Sequence, residues 1–200
     1  MKLHHSPASP YVRKVVACAI ARGLDGRIER IPTNPHVSPP ELLADNPLSK
    51  VPALVTDDGL ALFDSPVICE YLDGLGDAPR LFPPEGPARW AALRLQAVGD
   101  GILDAAVGRR MQQPLPLDEG RQAYHARQRA AIGRALDLLE WEAASLEGPW
   151  TIGSLAVGCA LGYLDFRFAD EPWREGRPRL AAWFARVSKD PALARTVPVG

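Results

Sequence analysis

Two hundred residues, 46% of them hydrophobic and 24% charged, make an ordinary globular composition with room for one large domain or two small ones. A formal net charge of −1, with no long basic run, argues against nucleic acid or an anionic membrane as the main partner and leaves small molecules. Met1–Pro10 has no apolar leader-like stretch and no apolar run reaches the roughly 18 residues of a membrane span, so a soluble, cytoplasmic protein is expected.

Lys2–His5 reads as a short strand, and Ser9-Pro10 as a helix start. A serine there accepts from an orphan backbone N–H, while proline at the first helical position lacks a donor that would be unpaired anyway. The helix is predicted to run to about Arg22, with Gly23 as its stop, and Arg27–Ile31 then alternates as a half-buried strand does. Thr33–Pro40 holds three prolines and is irregular, although Ser38-Pro39 repeats the cap signal before a short helix of roughly Glu41–Asp45. Lys50–Thr56 and Leu60–Phe63 read as two strands joined by a tight turn at Asp57-Asp58-Gly59. Pro52 cannot donate to a ladder, and a cis Val51–Pro52 bond would leave the Val51 backbone free to pair with something extended. Asp64-Ser65-Pro66 shows the cap-then-proline signal again, before a helix from Pro66 to about Leu72.

The four prolines of Asp77–Pro87 mark a linker, so residues 1–77 form an α/β unit, 78–87 a connection and 88–200 a helical unit without strand signals. Long helices are predicted over Ala88–Gln113 and Gly120–Leu146, each closed by prolines or glycine. Gly153–Phe168 is apolar nearly all round and reads as a helix buried in a bundle, where Gly158 and Gly162 admit a close neighbour. Pro178–Val187 is a last helix, and the tail to Gly200 an extended cover.

The order β-α-β-α-β-β-α, Ser9-Pro10-Tyr11-Val12 at the first helix, and the Val51-Pro52 and Asp64-Ser65 pairs together resemble the thioredoxin-like N-terminal domain of the glutathione S-transferase family. The resemblance covers the whole chain. It implies a thioredoxin-like α/β domain followed by an all-α bundle, and a bacterial, serine-type enzyme that activates the thiol of glutathione for attack on a hydrophobic electrophile. It also implies a homodimer, a detoxification role, glutathione as co-substrate and no metal. A catalytically weak binding or scaffold protein of the same fold is the alternative. Glutaredoxin-like relatives carry Cys-Pro-Tyr-Cys where this chain has Ser9-Pro10-Tyr11-Val12, so disulfide exchange through a protein cysteine is excluded at this point. The family's buried helix opens with a Ser-x-x-Asp capping box, whereas Ser154 is followed by Val157. The reciprocal half of the box is missing, an expected loss of about 1 kcal/mol.

In that reading Ser9 holds the glutathione thiolate, with Ser6 as the competing hydroxyl. Lowering a thiol pKa from about 8.5 by two units takes roughly 2.7 kcal/mol of preferential thiolate stabilisation, which a hydroxyl donor and a helix N-terminus together can supply. Val51 would pair through its backbone with the cysteinyl part, as a free sheet edge does. Asp64 would take the γ-glutamyl ammonium and Ser65 its carboxylate, unless the pair is an ordinary helix cap. Lys50 reaches the glycine carboxylate or faces water. For the second substrate the candidates are Tyr11, Arg109, Arg110 and Met111. The arginines could equally form a solvated face or ion pairs, and Met111 is read as core. His4, His5, His36 and His125 lack metal-like spacing, and Cys18, Cys69 and Cys159, odd in number and set in apolar patterns, read as buried free thiols.

Overall fold

A computed structural model describes all residues, 1–200. Strand β1 (Lys2–His5) runs parallel to β2 (Glu29–Pro32), and helix α1 (Pro10–Ala21) supplies the crossover that parallel strands require. Antiparallel pairing adds β3 (Ala53–Val55) to β1 and β4 (Ala61–Leu62) to β3, giving the order β2-β1-β3-β4. The register places Leu3 opposite Leu54, both fully buried. The last two strands are shorter than expected: Lys50–Pro52 stays outside the ladder, where Val51–Pro52 is cis. Helix α2 (Pro40–Asp45) precedes β3, and α3 (Ser65–Leu75) packs beside α1. Ser38 is not a cap. It closes a short 3-10 turn at φ 46°, and Pro39 flanks α2.

The rest is helical: α4 (Gly86–Gln112), α5 (Glu119–Trp141), α6 (Ile152–Arg167), α7 (Pro178–Val187) and α8 (Pro191–Ala194). The predicted helix over 120–146 stops at Trp141 and continues as a 3-10 turn, where the Ser145 hydroxyl donates to the Glu142 carbonyl at 2.7 Å. The tail is not wholly extended. Asp190 caps α8 by accepting from the Ala192 N–H at 2.9 Å, a cap-then-proline start at Asp190-Pro191 that the sequence reading missed. The expected deficit at the buried helix is also overturned. Its cap is Thr151, one turn earlier, and Ser154 closes the reciprocal bond to the Thr151 N–H at 3.0 Å, so the capping box is complete.

One cluster of 39 buried residues runs from Leu3 to Leu193, so sheet and bundle share a core. The close approach of α4 and α6 rests on two glycines: a Cβ at Gly99 would lie 2.7 Å from the Ala156 carbonyl carbon, and one at Gly153 2.5 Å from the Ala92 oxygen. Gly158 and Gly162 also admit close neighbours, which are the Leu193 side chain and the Arg13 guanidinium. Polar ties cross the same boundary. Arg13 donates to the Leu193 carbonyl at 3.2 Å, and the fully buried Lys14 reaches both Asp100 oxygens at 2.6 and 2.7 Å. All three cysteines are free and buried, and burial pushes the Cys159 thiol up to about 11. No helix is long and apolar enough to cross a membrane.

Candidate functional site

A cavity of about 850 Å³ lies between the sheet unit and the bundle, within the range that suits a small molecule. Its first wall is built from loops that end at helix starts. Ser9, the N-cap of α1, accepts from the Val12 N–H at 3.3 Å through Oγ and lines the cavity, as do Ser6 and Tyr11. Capping uses a lone pair and leaves the hydroxyl proton free to donate, so the cap does not compete with a second role. The two serines are coupled, the Ser9 N–H donating to the Ser6 carbonyl at 3.1 Å.

Lys50 and Val51 belong to a loop that buried Asn46 holds from within: its Nδ2 donates to the Lys50 carbonyl at 2.8 Å, and its Oδ1 accepts from the Leu48 N–H at 3.0 Å. Both residues line the cavity, and no turn, loop or side-chain hydrogen bond takes the Val51 N–H or carbonyl. Asp64 flanks α3 without making a side-chain cap bond, so its exposed carboxylate is uncommitted at the cavity edge, with buried Ser65 beside it.

The opposite wall comes from α4 and α6. Arg110 and Met111 line it and Arg109 does not. Arg109 is buried in a bidentate pair with Glu171, which Arg129 joins. Met111 is no core residue, being 48% exposed where α4 ends beside the cavity. Tyr11 donates to Asp104 of α4, and burial together with this bond raises the phenol far above its ordinary value, so it stays protonated.

Among the cavity residues that the sequence did not mark as such are His36, Asp104, Tyr163 and Arg167. His36 lies in a proline-rich irregular stretch where no periodicity shows which way a side chain faces. Asp104 sits in the α4 repeat one turn before Val107 and nearly two before Arg110, a spacing that could have linked it to them. Tyr163 and Arg167 stand one turn apart at the end of an apolar run, where a lone cation reads as a helix-terminal charge. In place, burial raises the Tyr163 phenol against the pull of Arg167 and Arg110, and the Arg167 guanidinium lies 3.9 Å from the centre of the Phe166 ring.

This geometry has counterparts. The sequence profile for the glutathione S-transferase N-terminal domain matches residues 8–75, and that for the C-terminal domain matches residues 122–186. The GST-like protein YibF of Escherichia coli (strain K12) is 33% identical over 99% of this chain and 98% of its own. A crystal structure of a glutathione transferase family member from Pseudomonas fluorescens Pf-5 with bound glutathione superposes with a TM-score of 0.93 at 42% identity, covering 100% of this chain and 99% of that one. A second structure from that organism, with bound S-(propanoic acid)-glutathione, gives 0.90 at 41% identity over 100% of both chains. The chain belongs to the glutathione S-transferase family. Its thioredoxin-like α/β sheet unit and all-helical bundle are that family's two domains.

Proposed function

We propose that this protein is a glutathione transferase that holds the tripeptide along the sheet-side wall and directs its thiolate at an electrophile lodged against the helices. The observation that carries the reading is that one cavity joins the free hydroxyl proton of Ser9, the unpaired Val51 backbone and the uncommitted Asp64-Ser65 pair. Glutathione bound to relatives 33–42% identical to this chain supports the same tripeptide here.

In this mechanism Ser9 Oγ–H donates to the sulfur while the N-terminus of α1 adds its partial positive charge, and the thiol ionises near neutral pH. Val51 pairs with the cysteinyl backbone. Asp64 takes the γ-glutamyl ammonium, Ser65 and the N–H groups of the α3 start take its carboxylate, and Lys50 takes the glycine carboxylate. The sulfur then bonds to the electrophilic carbon, and the leaving group departs with its electron pair. Tyr11 and Arg110 border the electrophile. A cytoplasmic homodimer serving detoxification completes the reading.

Ser9→Ala tests it. The variant is expected to lose most conjugation of a generic aryl halide while holding glutathione within a few-fold of wild-type affinity, measured by calorimetry. Wild-type protein that binds glutathione yet turns over no class of electrophile would instead define a scaffold.

A further inference from the structure

Two guanidinium groups on the helical wall have no carboxylate partner. Most arginines of this chain are ion-paired, as Arg94, Arg109 and Arg174 are, but Arg110 and Arg167 are not. Arg110 donates to the neutral Gln113 Oε1 at 3.1 Å. Arg167 is stacked on Phe166, with a buried Nε that finds no acceptor. The two come from different helices, α4 and α6, and converge on one cavity, where the Tyr163 hydroxyl senses both charges. On that wall Asp104 is engaged by the Tyr11 hydroxyl and pairs with neither arginine. Asp64 lies on the opposite wall.

Unpaired cations beside a partly apolar cavity are unfavourable unless an anion enters, and planar guanidinium forks match a carboxylate bidentately. We infer that the second substrate of this enzyme carries a carboxylate, which Arg110 and Arg167 grip while its apolar body lies on Val107 and Met111. The inference rests on the glutathione-thiolate reading above and narrows it to a substrate class. The two positive charges also cancel the repulsion an anionic substrate would exert on the incoming thiolate. In the substitution the sulfur–carbon bond forms as carbon–halogen breaks, halide leaves with the bonding pair, and the carboxylate is unchanged. No oxidant or reductant is needed.

The test compares 4-chloro-3-nitrobenzoate with its methyl ester, each kcat/KM divided by the uncatalysed rate with glutathione. Wild type should favour the acid by roughly tenfold or more, the scale of one charge-assisted hydrogen bond. Arg110→Gln and Arg167→Gln should each erode that preference and the double variant abolish it, while Arg110→Lys keeps part of it. Should a variant fail to fold, wild-type affinities for the two purified S-aryl conjugates read the same preference by calorimetry. Equal or better use of the ester by wild type, or a preference untouched in folded variants, overturns the inference and leaves the transferase standing. Absent glutathione binding overturns both, and a parallel loss of glutathione affinity in the arginine variants overturns the assignment of those residues to the second substrate.

Discussion

The two walls of the cavity are built by different physics. The sheet-side wall is made of punctuation: a serine before a proline, a proline just before a strand, and an aspartate and serine at a helix start, each fixing its own stretch of backbone. The helical wall has no such local devices. Which side chains it shows is set by how far α4 and α6 turn and how closely they meet, and that meeting depends on Gly99 and Gly153. In the proposed reading, binding of a common tripeptide would fall to the locally determined wall, and selection of the second substrate to the wall that repacking can alter.

The strongest way to break this contrast is Asp73→Ala. Asp73 is buried and accepts from the N–H groups of Leu81 and Phe82 at 2.7 and 3.3 Å, with Arg22 Nε 3.1 Å away but badly angled for a hydrogen bond. Its loss strands the Arg22 charge and two amides, and should cost about 3–5 kcal/mol in denaturant unfolding. A single transition is expected because the core is shared. Two resolved transitions would show the walls to be independent.

Ser9→Ala comes next. It should raise the pKa of bound glutathione by about one unit, the helix N-terminus keeping the rest of the stabilisation, seen as lost thiolate absorbance, and lower conjugation on the order of tenfold. It also removes the α1 cap, worth about 1 kcal/mol. Gly99→Ala sharpens the comparison from the other side. Its methyl group meets backbone of α6, so stability should fall by about 1–3 kcal/mol, and KM for the electrophile should shift more than the glutathione Kd. Equal movement of both constants would dissolve the distinction.

The smallest effect lies outside the cavity. Burial alone would raise the Glu171 carboxyl, but Arg109 and Arg129 outweigh it and hold it at about 2. A folded value below the unfolded one, about 4.3, means this stabilisation is complete above that pH and lost as pH falls toward 2. Glu171→Gln should therefore flatten the acid limb of the stability curve by about 1–2 kcal/mol after solvent screening, without moving glutathione affinity. A wild-type acid limb would show that the pair contributes nothing.

Sequence alone determined the element order as far as α7, because caps, prolines and strand alternation act within a few residues of themselves. Ser9, Asp64 and Ser65 stood out as helix starts and Val51 as a proline junction for that reason, while a shared site for them was what the family resemblance implied. Thr151 did not stand out, since either Thr151 or Ser154 could open α6 and only the folded turn chose. Tertiary structure alone decided the helical wall. Successive residues on a helix point roughly 100° apart, so whether Arg109 or Arg110 faces the cavity depends on the rotation of α4 against α6, and that rotation also brings Tyr163 and Arg167 to the same space.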